Sequence, residues 1–167
     1  MARNLIEVEK LSKYFKHGKG YLRAVDNVSF QIEEGSTLGL VGESGRGKST
    51  VARLILKLIP PTSGTVKFEG KSIYDMPENT LRILRKNMQI IFQNPYLSLF
   101  PNLSVGDNIE EPLTINKVGD RAERMKKVLE LMDLVGVSRQ YYHAFPNELS
   151  GGQQQRVGIA RALALNP

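Results

Sequence analysis

The sequence predicts an α/β fold on three observations. Residues 1–93 are rich in strand patterns; an apolar run, Leu38 to Val41, passes through a glycine loop into a helical pattern; and Pro95 to Pro146 carries mainly helical periodicity. Leu5 to Phe15 and Ala24 to Ile32 alternate or cluster apolar residues around the turn-rich "KHGKG", which predicts two strands at a sheet edge. In "STLGLVGES", Leu38, Leu40 and Val41 predict a short buried strand. Val51, Leu54, Ile55 and Leu58 then recur at helical spacing, until Pro60 and Pro61 stop the helix.

Further along, "GTVKFEGKSI" reads as a strand, "ENTLRILRKNM" as a short helix and "QIIFQ" as a buried run of strand length. Met125, Val128, Leu129, Met132 and Val135 share one helical face, with Gly136 just past its last turn. The last segment, Gly151 to Leu165, is expected to be a helix opened by a Ser-Gly-Gly turn, carrying Val157, Ala160, Arg161 and Ala164 at helical spacings. The expected organisation is a β-rich core at 1–93, a helical insertion at 94–149, and a helix at 150–167 returning to the core.

The chain has 167 residues, 41% of them apolar, enough for a single core. Lys and Arg number 23 against 17 Asp and Glu, a net charge of +6 spread along the chain, which fits phosphate ligands without establishing nucleic-acid binding. With no cysteine, disulfides, thiolate metal sites and cysteine nucleophiles are excluded. "MARNLIEVEK" lacks the apolar stretch of a signal peptide, and no run approaches the roughly 20 apolar residues that cross a bilayer. The glycosylation patterns at Asn27 and Asn102 are read as coincidence, and His17 and His143 as solvated loop residues.

"GESGRGKST", Gly42 to Thr50, has the spacing glycine, four residues, glycine, lysine, serine, and it lies between the apolar run and a helix. Glycines in such a loop let several backbone N–H groups turn inward, forming an anion nest at the positive end of the helix dipole. Gly42, Ser44, Gly45, Gly47 and Thr50 belong to that nest. Lys48 is expected to set its ammonium against the outer phosphates, and Ser49 to offer its hydroxyl to Mg²⁺. The plain alternative is a glycine-rich surface turn. Arg46 fills a free position of the pattern and is given no role.

"LSGGQ" at Leu149 to Gln153, following this loop and an intervening "FQNP", resembles the signature of the ATP-binding-cassette (ABC) ATPases, over nearly the whole chain. The resemblance is closest to the oligopeptide and dipeptide importer branch, through "AVDNVSFQIEEGSTLGLVGESGRGKST", "FQNPYLSLFPNLSVGDNIEEPL" and "ELSGGQQQRVGIARALALNP". It implies a P-loop, RecA-like α/β nucleotide-binding core with an N-terminal antiparallel β portion and an inserted helical subdomain.

By the same resemblance, ATP and Mg²⁺ are the cofactors. Gln93 would touch the metal and the attacking water and sense the membrane subunits, or else be a strand-end polar residue facing solvent. Phe15 would carry the adenine ring, unless Tyr14 and Phe15 both face the core. Ser150, Gly151, Gly152 and Gln153 would face the γ-phosphate held by a second subunit; the alternative is a helix cap of serine and glycine.

The resemblance implies an ATP hydrolase coupled to uptake of peptides or a similar small solute. It would sit at the cytoplasmic face of the membrane with permease subunits, a second cassette subunit (identical or paralogous) and, indirectly, a solute-binding protein, but no nucleic acid. Family members continue past a proline such as Pro167 into a strand bearing a metal-binding aspartate and a catalytic glutamate, then a switch histidine. Without these the C-terminal part of the fold is expected to be missing, and the 167 residues alone are expected to be inactive and marginally stable or aggregation-prone. The alternatives are a cassette ATPase acting on DNA, which DNA-stimulated nucleotide binding would reveal, and a non-catalytic nucleotide-binding module.

Overall fold

The computed structural model describes residues 3–94 and 98–167. Pro95, Tyr96 and Leu97, inside the "FQNPYLSLFPNLSVGDNIEEPL" stretch, lie outside the described residues. The chain divides into two compact units, 1–82 and 83–167. The apolar side of the last helix is buried with the helices that precede it.

In the first unit, β1 (Asn4–His17) and β2 (Gly20–Glu33) form a long antiparallel ribbon. Strands β3 (Ser63–Phe68) and β4 (Lys71–Ser72) extend it into a four-stranded sheet of order β2-β1-β3-β4. The expected strand pair thus forms, one or more residues longer at each end because the turn holds only two residues between His17 and Gly20. The ribbon is irregular. Leu11 pairs with Val28, Lys13 with Val25 and Tyr14 with Arg23, so β2 carries an extra residue at Ala24 and another at Asp26–Asn27. Buried side chains Val8, Leu11, Val25, Val66, Phe68 and Ile73 form the core side of the sheet, with Val51 and Leu54 of α1 (Lys48–Ile55) and Leu81 of α2 (Glu78–Leu84).

Two expected strands do not form. Residues 38–41 and 89–92 have no ladder partner among the described residues. Leu38, Leu40 and Val41 are 46%, 47% and 93% exposed, and Ile91 and Phe92 are exposed as well. The physical reason is that an apolar run becomes a buried strand only when neighbours satisfy its backbone on both sides and cover its faces. Leu58, read as part of the helical stripe after the loop, is also exposed, since α1 ends at Ile55.

The second unit packs α3 (Val105–Ile115), α4 (Arg121–Leu134) and α5 (Gly151–Leu163) around Val105, Ile109, Leu113, Val128, Met132, Val157 and Ala160. Each helix starts on a cap. Ser104 Oγ accepts from the Asp107 amide, and Asp120 and Ser150 form reciprocal capping boxes with Glu123 and Gln153. At the far end of α4, the Val137 amide donates to the Met132 carbonyl and the Gly136 amide to that of Asp133, while Arg156 Nη1 of α5 donates to the Val135 and Gly136 carbonyls at 3.2 Å. The apolar face read for α4 shifts slightly: Leu131 is buried and Met125 is 46% exposed.

Candidate functional site

In the first unit the loop from Gly42 to Thr50 leads into α1. Gly45 and Gly47 both adopt left-handed φ, 79° and 84°. At Gly47 no other residue fits: a Cβ would collide with the Ala24 carbonyl oxygen and lie 3.1 Å from its carbon. The start of α1 has no side-chain cap. The first hydrogen bond of the helix runs from the Val51 amide to the Gly47 carbonyl at 2.9 Å, leaving the Lys48, Ser49 and Thr50 amides as the unpaired donors of a helix start. These amides and the helix dipole make the loop end electropositive.

Lys48 Nζ reaches back over the loop and donates to the carbonyls of Gly42 at 2.6 Å and Glu43 at 2.7 Å. The ammonium is thus held against the loop by two neutral acceptors, which an anion can outcompete. Ser49 is exposed, so its hydroxyl is open to a hard cation, and Ser44 and Thr50 flank the same turn. Arg46, assigned no role above, pairs with Glu43 across the loop at 3.1 Å; both side chains are mostly exposed and the pair contributes little.

Phe15 is exposed near the end of β1, with Lys13 Nζ 5.1 Å from its ring centroid, so the reading that places its ring in the core does not hold. Its neighbour Tyr14 points its hydroxyl at Asp26 Oδ1, 2.5 Å away. Among the described residues no group of three or more His, Asp or Glu is arranged to hold a metal.

The second unit holds Gln93 and the Ser150–Gln153 turn. Gln93 is exposed. At the α5 start the Ser150 amide donates to Gln153 Oε1 at 2.9 Å, and the Gln153 amide returns to Ser150 Oγ at 3.4 Å. Gln154 is buried and its Nε2 donates to the Pro146 and Leu149 carbonyls, at 2.7 and 3.2 Å. Two of the three glutamines thus have local duties. Gly151 and Gly152 do not: both are exposed, neither has positive φ, and a Cβ on either would meet nothing within 4 Å.

One organising residue escaped the sequence reading. Asn108, fully buried in α3, accepts from the Phe100 amide at 2.8 Å and donates to the carbonyls of Phe100, Leu103 and Ser104 at 3.1, 3.0 and 2.9 Å. Its signal was a polar residue beside Val105 and Ile109 on the buried stripe. Arg161 of α5 holds the same stretch from the other side, donating to the Ser98 carbonyl and to Glu111, with its guanidinium 4.7 Å from the Phe100 ring.

A loop of this construction, followed in the same chain by a glycine-opened helix, defines a cassette nucleotide-binding protein. Residues 25–167 match the family model described as ABC transporter, and the chain belongs to that family. It is 45% identical over its whole length to the oligopeptide transport ATP-binding protein OppF of Bacillus subtilis (strain 168), covering 55% of that protein. With the di/tripeptide transport ATP-binding protein DppF of Pseudomonas aeruginosa (strain UCBPP-PA14) it shares 43% identity over 99% of the chain and 51% of the relative. Among solved structures it resembles the ATP-binding cassette MJ0796, a dimer in a post-hydrolysis state bound to ADP and Pi, with a TM-score of 0.89 and 36% identity over 97% of this chain and 70% of that one. The chain spans about half the length of the curated relatives it matches. No helix among the described residues is long and apolar enough to cross a membrane.

Proposed function

We propose that this chain is the nucleotide-binding part of an ATPase subunit that powers uptake of oligopeptides or dipeptides through membrane partners. The observation that carries the reading is the pair of glycine features: a left-handed, uncapped loop under Lys48, and two glycines at the start of α5 that no φ angle and no packing within the unit requires. Glycine costs a helix about 1 kcal/mol relative to alanine. Its use at an open helix start is accounted for by close approach of a ligand.

The Gly42–Thr50 backbone binds the phosphates of ATP, Lys48 exchanges its two loop carbonyls for phosphate oxygens, and Phe15 stacks on the base. Ser49 would supply an oxygen donor to Mg²⁺, which when bound would offset the negative charge of the phosphates. Ser150, Gly151 and Gly152 present the N-terminal end of α5 to the γ-phosphate held by a second cassette, identical or paralogous, and permease subunits anchor the pair at the cytoplasmic membrane face. The two named relatives support peptides as the solute.

Titration of the full chain with Mg-ATP tests the first step. Lys48→Ala is expected to weaken binding by about 2–4 kcal/mol, the scale of a lost charge-assisted contact. Equal affinity in wild type and variant would remove Lys48 from the site.

A further inference from the structure

We infer that Tyr14, Asp26 and Arg23 form a clamp that positions both ends of the nucleotide site, a role distinct from contact with nucleotide. The inference rests on the nucleotide reading above and adds residues to it.

The β1–β2 ribbon changes register where the site is built. Lys13 pairs with Val25 but Tyr14 pairs with Arg23, so Ala24 has no partner in β1. An extra residue of this kind bends the strand and re-aims its backbone. Here the unpaired residue has a definite target, since the Ala24 carbonyl is the group that fills the space beside Gly47 where any side chain would go, and Val25 Cγ2 would lie 3.6 Å from a Cβ placed there. The left-handed turn that opens α1 is thus seated on the irregularity in β2.

The irregularity is tied from the other strand. Tyr14 Oη donates to Asp26 Oδ1 at 2.5 Å, Arg23 Nη1 donates to Asp26 Oδ2 at 3.4 Å, and the Arg23 guanidinium stands 5.5 Å from the Tyr14 ring centroid. Residues 23 and 26, on either side of Ala24, are therefore held by one β1 side chain. The backbone that carries it is itself anchored, because the Tyr14 amide donates to Thr62 Oγ1 at 2.9 Å and the Thr62 amide to the Ser12 carbonyl at 2.8 Å. Tyr14 directly precedes Phe15, whose exposed ring is the base-stacking candidate. One hydroxyl thus fixes the ring-bearing end of β1 and the seat of the phosphate loop together.

The test uses Tyr14→Phe and Asp26→Ala, which delete the bond, and Asp26→Asn, which keeps an acceptor oxygen in place. Amide hydrogen exchange of the full chain without nucleotide is expected to quicken about fivefold or more at 21–26 and 45–51 in the first two variants, to stay near wild type in Asp26→Asn, and to stay unchanged at Val66 in the β1–β3 ladder. Mg-ATP affinity is expected to fall about five- to tenfold in Tyr14→Phe, and about two- to threefold when the same change is made on a Phe15→Ala background, where the share carried by the ring is already gone and the share carried by the phosphate loop remains. Unchanged exchange at 45–51, a uniform rise that includes Val66, or fully additive losses would overturn the clamp. Failure of wild type to bind Mg-ATP would instead sink the nucleotide reading, and the exchange pattern would still decide whether the clamp exists.

Discussion

Gly47 shows how much a single missing methyl group can determine, because its left-handed turn and its contact with the Ala24 carbonyl exclude every other residue. That requirement was legible, since a phosphate loop is built from consecutive backbone whose spacing is written directly in the sequence. The bonds that support it were not. Tyr14 and Asp26 are twelve positions apart, and only the register of the ribbon brings them to 2.5 Å. Tyr74 makes a comparable tertiary bond, its hydroxyl donating to the Leu54 carbonyl at 2.9 Å, and burial pushes its pKa from the ordinary 10.0 up to about 12. The folded state holds the phenolic proton more tightly than the unfolded chain. The stabilisation is therefore complete below pH 10.0 and is lost as pH rises toward about 12. Urea melts across that window are expected to show a steeper alkaline loss for wild type than for Tyr74→Phe; parallel slopes would refute the assignment.

At the scale of elements, Ser104 and Asp120 cap α3 and α4 without having been picked out in the sequence, whereas α4 was readable from its periodicity and α5 from its Ser-Gly-Gly opening, because a helix face and a helix start are set within a few residues. The loop from Ser98 to Leu103 was unreadable for the opposite reason: its carbonyls are satisfied by Asn108 and Arg161, side chains that reach it only after the helices have packed. Asn108→Ala leaves the Phe100 amide and the Leu103 carbonyl to find new partners in a buried place, while the Phe100 and Ser104 carbonyls keep the backbone amides of Leu103 and Asn108. Its expected cost is about 2–4 kcal/mol of unfolding free energy, read by chemical denaturation, while a change under about 0.5 kcal/mol would show the loop to be held by Arg161 alone. For α5, Gly151→Asp introduces a carboxylate at an open helix start, where the dipole tolerates it and nothing within 4 Å clashes. The fold and ATP binding by one subunit are expected to survive, but ATP-dependent association, followed by light scattering, is expected to disappear. Association retained with ATP would leave Ser150 and Gln153 as a helix cap only.

For the whole molecule, the difference between reading and structure lies in the two apolar runs, 38–41 and 89–92. Their composition is that of buried strands, and sequence periodicity reports composition; it cannot report whether a ladder partner and a covering layer are present. In the structure Leu38, Leu40 and Val41 belong to the first unit, Ile91 and Phe92 to the second, and all five are exposed. Each unit keeps its own buried cluster, and the second has the larger helical one. Exposed apolar surface forfeits about 25 cal/mol per Å², so a few hundred Å² in these runs is comparable with the roughly 5–15 kcal/mol that holds a domain together. The 167-residue chain is therefore expected to bind a hydrophobic dye such as ANS at neutral pH, and to unfold in a broad transition with the amide protection of α3, α4 and α5 outlasting that of 38–41. Replacing Val41, the most exposed of the five at 93%, with Thr is expected to lower dye binding without lowering the unfolding midpoint, since its side chain contributes no buried area. A sharp single transition with no dye binding would show that both runs are covered in solution.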